Sequence, residues 1–535
     1  MPLTDGSMQS FALTLDKFLE HAAKWHGQAE VVTGRQGRSV ARTSYAALDK
    51  RARRVTVVLR GLGVRAGDRI ATLAWNTHAH LEAWYGIVGM GAICHTLNPR
   101  LTGEQLATMV TQSGARVLIV SADLLALARD IAAAATSIER LLLIDGVEDG
   151  AADRPGVAGS PAESRLESLI ARADGEVVWG DFDETEPCGL CFTSGTTGAP
   201  KGVTYTHRAS FLHTLRILQA DNMAVTARDS VLAAVPMFHA NGWGLPFAAP
   251  AAGARLVLPG RHIDGASLAA LTNAEAVTIG VGIATVWLDL VEHLDRTGGE
   301  VPTLERIIVG GAPLPPALME RIEDRLGCSV QTSWGMTELS PSGTVTPRDA
   351  PTRSAHLAGR PAVGIDLLLT DADGRPLPDQ RGTEGHLRVR GTAVIERYFG
   401  EESPATDADG WFATGDLARI DATGNLIITG RAKDLIKSGG EWINPAEIEA
   451  AVSAIPEVSL AAVIGRQDPR WGERPILVVQ TRDSVDIGDE ALLAPLRGKV
   501  ASWWIPDAVI RVSRMYLSPT GKIDKARLKT EYGGA

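Results

Sequence analysis

The chain has 535 residues and carries 53 Lys and Arg against 63 Asp and Glu, for a formal net charge of −10. This length predicts three or four domain-sized units, and the acidic balance disfavours a broad nucleic-acid or anionic-membrane surface. The first 20 residues hold acidic side chains and no apolar stretch typical of a signal peptide, and the apolar runs are too short to span a bilayer. We therefore expect a cytoplasmic protein without nucleic-acid partners or stable membrane insertion.

The four cysteines are too few and too scattered for a disulfide framework. Cys188 and Cys191 form a C-x-x-C pattern, but a three-residue offset puts their side chains on opposite faces of a strand. We expect both to be core residues rather than a redox or metal pair.

Residues from about 45 to 335 alternate short apolar runs with amphipathic helical patterns, which predicts βαβ units and mainly parallel sheets. Strands are expected at 69–75, 116–120, 140–144, 230–236, 255–258 and 306–309. Helices are expected at 46–62, 104–112, 267–273 and 316–326. The Gly-, Ala- and Asp-rich stretch from about 146 to 186 has little periodicity and predicts a surface connection.

The pattern changes after about residue 350. Short runs at 364–370, 385–389 and 425–429 are separated by turn residues and predict an antiparallel β-rich unit. Beyond Gly430, helices at 445–455 and 490–503 and strands at 460–464 and 476–481 predict an α+β unit. The fold class is therefore α/β, with a large N-terminal domain (1–430) of mainly parallel βαβ sheets, a β-rich subdomain (about 350–430) and a small α+β C-terminal domain (431–535).

The segment Thr193–Gly202, TSGTTGAPKG, is the strongest functional motif. Its glycines allow a tight backbone, its hydroxyl side chains donate hydrogen bonds, and Lys201 adds a positive charge, a combination typical of phosphate binding. The spacing is not that of a Walker A loop, and Pro200 disfavours helical geometry at Ala199, where a Walker A helix would begin. A different kind of phosphate loop is predicted.

This loop resembles the conserved loop of the adenylate-forming superfamily, which contains acyl-CoA synthetases, luciferases and adenylation domains. Six further segments match family motifs in order along nearly the whole chain: PMFH (236–239), VGGAP (309–313), SWGMTE (333–338), WFATGD (411–416), GRAKD (430–434) and PTGK (519–522). The resemblance implies an enzyme that activates a carboxylic acid with ATP as its acyl-adenylate and transfers the acyl group to coenzyme A.

The resemblance also implies roles for individual residues. Mg²⁺ is expected near Thr193 and Glu338, and Lys522 at the oxygens of the acyl-adenylate. Asp416 is expected to bind both ribose hydroxyls, and Trp334 to lie on the adenine ring plane. Catalytic roles are implied for Lys522, Glu338, His239 and Thr197. The expected ATP and AMP contacts are Thr193, Ser194, Gly195, Thr196, Thr197, Lys201, Gly310, Gly311, Trp334, Gly335, Met336, Thr337, Asp416, Arg431, Lys433, Lys437, Trp442 and Lys522.

The acyl side of the site is expected at His239 and Trp243. Amino-acid-activating relatives have an aspartate at the position of His239, so a cationic amino-acid substrate is disfavoured. The segment 238–244 is similar to that of bacterial medium- and long-chain fatty-acid–CoA ligases and 3-methylmercaptopropionyl-CoA ligases, which implies a neutral, apolar acyl chain. Ala284 stands where relatives usually have proline, which frees φ and could reshape the acyl pocket, so the chain length stays open.

In the family the C-terminal domain is mobile and rotates between the two half-reactions. Lys433 matches the hinge residue, and Ser438, Gly439, Gly440 and Glu441 match the segment that lines the coenzyme A tunnel. The resemblance further implies a homodimer. Two alternatives stay open: a ligase that loads an acyl-carrier protein, and a catalytically silent adenylate-binding protein. The combined presence of Lys522, Glu338, Asp416 and Thr197 disfavours the silent protein.

Overall fold

The computed structural model describes residues 5–146, 154–156, 161–193, 200–351, 353–482, 485, 487–519 and 521–534. Two large sheets occupy the chain up to Pro361. Their strands are β1 (Glu30–Arg35), β2 (Arg38–Ser44), β3 (Arg69–Leu73), β4 (Ile93–Thr96), β5 (Val117–Ser121), β6 (Arg140–Ile144), β7 (Ala162–Arg165), β8 (Pro187–Phe192), β9 (Gly202–Thr206), β10 (Ser230–Ala233), β11 (Arg255–Leu258), β12 (Ile279–Gly282), β13 (Arg306–Val309), β14 (Ser329–Gly335), β15 (Ser342–Val345) and β16 (Arg360–Pro361).

Helices connect these strands and cover the sheets. They are α1 (Asp16–Trp25), α2 (Tyr45–Gly61), α3 (His78–Val88), α4 (Gly103–Ser113), α5 (Leu125–Ala134), α6 (Leu166–Arg172), α7 (His207–Ile217), α8 (Leu245–Ala252), α9 (Gly265–Ala274), α10 (Ala284–Thr297) and α11 (Pro316–Leu326). Local sequence explains their ends. In α4, for example, Thr102 and Gln105 form a capping box, and Gly114 ends the helix in a left-handed conformation.

Both sheets are mainly parallel, as the βαβ pattern predicts. The seven-stranded sheet has the order β7-β6-β5-β3-β4-β8-β9, and β9 runs antiparallel to β8. The nine-stranded sheet has the order β16-β15-β14-β13-β12-β10-β11-β1-β2, with β2, β15 and β16 antiparallel to their neighbours. The main core contains side chains of both sheets, such as Ile70 and Val31. Cys188 and Cys191 are buried in the same core as free thiols, which confirms their predicted place.

The β-rich unit and the C-terminal unit follow in the predicted order. An antiparallel sheet of order β17-β18-β19-β20 contains β17 (Ile365–Thr370), β18 (Glu384–Gly391), β19 (Phe412–Ile420) and β20 (Leu426–Arg431). The C-terminal unit contains β21 (Ile436–Ser438), β22 (Glu441–Ile443), α12 (Pro445–Ser453), β23 (Val458–Asp468), β24 (Gly472–Thr481), α13 (Asp489–Leu493), β25 (Val509–Arg511) and α14 (Lys525–Tyr532). Its strands form one sheet.

Two predictions of local structure are wrong. The helix expected at 490–503 ends at Leu493, and only short 3₁₀ turns follow, because Pro495 and Gly498 interrupt the helical pattern. The surface connection expected from about 146 to 186 contains β7 and α6 and buries Leu166 and Ile170; residues 147–153 and 157–160 lie outside the described part. Among the described residues, no helix is both long and apolar enough to cross a membrane.

The parallel strands of both sheets lead directly into the predicted motifs. β8 ends at Phe192, one residue before Thr193, and β13 ends at Val309, one residue before Gly310. Ligands of open α/β sheets bind outside the carboxyl ends of the strands. The fold therefore gathers motifs that are more than 100 residues apart in sequence at one cleft.

Candidate active site

Lys522 lies in the cleft, close to the loop that follows β13. A tight turn carries it, in which the Ser518 amide donates to the Lys522 carbonyl at 2.7 Å. A Cβ added at Gly311 would lie 3.9 Å from Lys522 Cε. The Arg100 guanidinium donates to the Pro519 carbonyl at 3.2 Å and ties the turn to the large domain. The structure thus brings the C-terminal lysine to the glycines predicted to border the nucleotide.

Charges of both signs surround Lys522. Burial in the cleft lowers its pKa most and Arg431 lowers it further, while Asp416 and Glu338 act in the opposite direction. Lys433 belongs to the same group, because it also lowers the pKa of Lys522. Three cations therefore face two carboxylates. A cleft with this positive balance suits a polyphosphate.

Asp416 is 2% exposed, and both of its carboxylate oxygens have partners. The Trp334 indole N–H donates to Oδ2 at 2.8 Å, and Arg431 Nε lies 2.6 Å from Oδ1. Burial raises the pKa of Asp416, while Arg431 and Trp334 lower it. A carboxylate offers about four acceptor positions, so positions remain for the two ribose hydroxyls that were predicted to bind there. That role stays a prediction.

Trp334 has a contact that its motif does not predict. Its indole is 8% exposed and packs over Gly343, where an added Cβ would lie 2.6 Å from the ring. Its N–H holds Asp416 in place, so Trp334 positions the carboxylate expected to bind ribose. A further contact of the ring with adenine stays a prediction.

Glu338 is 8% exposed and connects to the phosphate loop through Tyr398. The Tyr398 hydroxyl donates to Glu338 Oε1 at 2.9 Å, and Lys201 Nζ lies 4.7 Å from the Tyr398 ring centroid. Thr193 and Lys201 close the base of the loop, with the Thr193 amide donating to the Lys201 carbonyl at 2.9 Å. The predicted contacts Ser194, Gly195, Thr196 and Thr197 lie outside the described residues.

A divalent cation fits this donor set. Mg²⁺ is usually held by one or two carboxylates together with substrate phosphates and water, and Glu338 offers a carboxylate with one oxygen bonded to Tyr398. Over the described ranges, no group of three or more His, Cys, Asp or Glu side chains could form a metal site on its own.

The predicted acyl side lies at a left-handed turn after β10. Trp243 has φ of 54°, and its ring would meet a Cβ added at Gly310 at 3.1 Å. Because Gly310 and Gly311 have no side chain, the Trp243 indole can pack directly against their backbone. Burial lowers the pKa of His239 to about 4, and Lys522 and Arg100 lower it as well, so its imidazole is neutral at physiological pH.

The remaining nucleotide motif residues line the same region. The Tyr205 hydroxyl donates to the Thr337 carbonyl at 2.9 Å, and the Met336 amide donates to the Pro341 carbonyl at 3.0 Å. At Gly335 an added Cβ would lie 2.3 Å from the Pro341 carbonyl oxygen. The hairpin between β14 and β15 therefore has no room for a side chain at Gly335 of the SWGMTE motif.

The segment 438–441 forms the turn between β21 and β22 of the C-terminal sheet, far in sequence from the turn that carries Lys522. Gly439 and Gly440 have φ of 59° and 93°, and Ser438 is buried and accepts a hydrogen bond from Arg474 at 3.2 Å. Glu441 is exposed at the start of β22. A Cβ added at Gly439 would lie 2.6 Å from the Trp471 ring.

Lys437 and Trp442 flank this segment rather than the group around Asp416. Lys437 Nζ lies 5.5 Å from the Trp442 ring centroid, and Trp442 is 53% exposed. Their predicted contact with the nucleotide stays a prediction. Tyr398, Arg100 and Trp471 were missed by the sequence reasoning, because none of them lies in a motif that it used.

Comparison with known proteins decides the family. The AMP-binding enzyme family matches residues 18–399, and its C-terminal domain matches residues 447–522. The chain belongs to the AMP-binding enzyme family. The resemblance that the motifs predicted is confirmed.

Relatives in this family match over almost the full chain. A 3-methylmercaptopropionyl-CoA ligase of Ruegeria lacuscaerulensis is 38% identical, with 99% of each chain covered. A medium-chain-fatty-acid–CoA ligase of Ectopseudomonas oleovorans is also 38% identical, covering 99% of this chain and 97% of the relative. Among solved structures, ATP-bound MatB from Rhodopseudomonas palustris is 26% identical, has a TM-score of 0.84 and covers 98% and 99% of the two chains.

Proposed function

We propose that this AMP-binding enzyme is an AMP-forming acid–CoA ligase. The observation that carries the proposal is the convergence of Lys522, Asp416 and Glu338 in one cleft, although they come from distant parts of the chain. CoA ligases that are 38% identical over nearly the full chain support the same activity.

In the first half-reaction a carboxylate oxygen of the acid attacks the α-phosphorus of ATP. The bond from the α-phosphorus to the bridging oxygen breaks, and pyrophosphate leaves with that oxygen. In this proposal the positive charge of Lys522 stabilises the charge that develops on the α-phosphate. Asp416, held by Trp334 and Arg431, accepts from the ribose hydroxyls. Glu338 and Thr193 would hold Mg²⁺, which neutralises phosphate charge.

In the second half-reaction the thiol of coenzyme A loses its proton to solvent. Its sulfur then attacks the acyl carbon, the bond from that carbon to the phosphate oxygen breaks, and AMP leaves. The segment 438–441 would line the approach of the thiol after the C-terminal domain rotates at Lys433. Lys522 and the segment 438–441 lie on different parts of the same small domain. Each could face the cleft in a different position of that domain, which supports the proposed rotation.

The acid lacks a cationic group in this proposal, because neutral His239 stands where amino-acid-activating relatives have an aspartate. Medium-chain acids and 3-methylmercaptopropionate are the first candidates, since ligases for both are equally similar to this chain. We also propose a homodimer in the cytoplasm. Exposed apolar side chains in the N-terminal segment support the dimer, among them Met8, Phe11 and Trp25.

The test is AMP and pyrophosphate release with a panel of acids, with and without coenzyme A. Thioester and AMP should form only when acid, ATP and coenzyme A are all present. Thioester and AMP formation with a carrier protein but not with coenzyme A would replace the proposal with a carrier-protein ligase. A monomer mass in light scattering at micromolar concentration would remove the homodimer.

A further inference from the structure

Arg216 is a buried cation on α7 whose guanidinium is largely unpaired. The side chain is 3% exposed, and Nη2 donates to the Ser342 carbonyl at 2.8 Å. Nε and Nη1 are shielded from solvent and have no hydrogen-bond partner among the described residues. These two nitrogens carry three of the five N–H donors of a guanidinium. Buried donors are almost always paired in native proteins, so this arrangement requires an explanation.

Arg306 shows how this protein normally buries an arginine. It is also 3% exposed, but it donates to the Ala224 carbonyl at 3.0 Å and to Gln331 Oε1 at 2.8 Å. Nearby acids also compensate its charge, since Asp229 raises its pKa against the effect of burial. For Arg216 burial alone acts and lowers the pKa to about 10. The contrast shows that Arg216 lacks a counter-charge and, apart from the Ser342 carbonyl, lacks acceptors among the described residues.

The position of Arg216 connects it to the acyl side of the cleft. His213, three residues earlier on the same helix face, accepts a hydrogen bond from the Ser342 amide at 3.1 Å. Its ring would lie 2.8 Å from a Cβ added at Gly244, the residue after Trp243. The same face therefore contacts the Trp243 turn and the hairpin that carries Glu338. The Trp243 turn is the segment expected on the acyl side of the site, and the hairpin is the segment expected at the nucleotide and Mg²⁺.

We propose that Arg216 binds a second carboxylate at the distal end of the acid substrate. The proposal rests on the proposed function and changes its expected substrate from an acid with an uncharged chain to a dicarboxylic acid that is activated at one end. An anion is the fitting ligand, because a buried charge is stable only when it is paired and hydrogen-bonded. Nε and Nη1 are shielded from bulk solvent, and in this proposal the second carboxylate of the substrate supplies their acceptors.

The experiment compares hexanoate, hexanedioate and the monomethyl ester of hexanedioate as substrates, with AMP release as the readout. The parent enzyme should have a higher kcat/KM for hexanedioate than for the other two acids. Arg216→Met should lower kcat/KM for hexanedioate at least about 30-fold, as expected for a buried charge pair that loses one partner. It should leave hexanoate unchanged or improve it. Arg216→Lys keeps a cation and should keep the order of preference.

Two controls separate binding from folding. Arg208 lies on the same helix but is exposed and pairs with Glu184, so Arg208→Met should leave all three substrates unchanged. The KM for ATP of Arg216→Met should stay near that of the parent, which shows that the nucleotide cleft is intact.

Four results would overturn the proposal. Equal losses for hexanoate and hexanedioate in Arg216→Met would make Arg216 a structural residue. Equal use of the diacid and its monomethyl ester by the parent would show that a neutral acceptor suffices. Turnover of monocarboxylic acids alone by the parent would remove the second carboxylate but leave the proposed function. No turnover of any acid would remove both.

Discussion

Replacing Lys522 with alanine should separate the two half-reactions. In the structure this ammonium faces Arg431, Asp416, Glu338 and Lys433, and its removal changes the formal charge of the group from one positive charge to zero. Loss of one electrostatic stabiliser at a developing oxyanion typically costs about 2.7–4 kcal/mol, or about 10²–10³-fold in rate. Acyl-adenylate formation should fall by that factor.

The assay measures pyrophosphate release for adenylation and thioester formation from preformed acyl-adenylate for transfer. The variant should form the thioester at nearly the parent rate, because Lys522 is proposed to act only while the α-phosphate is attacked. Lys529→Ala is a matched control, since Lys529 is a surface lysine of the same tail that lies 3.9 Å from Glu473. Equal losses in both half-reactions would refute the reasoning and leave one fixed active site for both steps.

Three further predictions test other parts of the structure. Trp334→Phe removes the N–H that holds Asp416 and should raise the KM for ATP roughly tenfold, measured by initial rates; an unchanged KM would contradict this positioning role. Lys433→Pro should form the adenylate and then stall, because fixing φ obstructs domain rotation; single-turnover thioester formation at the parent rate would refute it.

The third concerns buried His80, whose pKa burial lowers from 6.5 to about 4. The unfolded chain therefore takes up the proton first as pH falls, and the stability that neutral His80 contributes above pH 6.5 is lost as pH falls towards about 4. His80→Gln should reduce this pH dependence by up to about 1.4 kcal/mol per pH unit in urea unfolding, whereas His356→Gln, at an exposed position, should not.

The sequence predicted the strands and motifs that depend on local pattern. β6, β11, β13 and α11 have the predicted bounds, because short apolar runs and well-defined helix ends are local signals. The helix expected at 490–503 does not continue beyond Leu493, because Pro495 and Gly498 interrupt it despite the apolar periodicity. The sequence-based boundary near Gly430 stays a prediction, although β20 ends at Arg431 and the next sheet begins at Ile436.

The contacts between motifs could not be predicted from spacing. Nothing local indicates that Tyr398 reaches Glu338 or that Trp334 donates to Asp416 across 82 residues. Arg216 was missed for the opposite reason: an arginine in an amphipathic helix normally lies on the solvated face, and only the packing of α7 against Ser342 shows that it is buried. Long-range pairing of this kind requires the tertiary structure.

The placement of Lys522 on a small, separate domain bears on the direction of the reaction. By microscopic reversibility, the lysine that stabilises attack on the α-phosphate also stabilises the return attack of pyrophosphate on the acyl-adenylate. In the proposed rotation the domain takes Lys522 with it, and the return path would lose that stabilisation while the thiol approaches. The contact of Arg100 with the Pro519 carbonyl would have to break before Lys522 could leave the cleft in this proposal. The proposed rotation would then protect a reactive intermediate as well as exchange two sets of side chains.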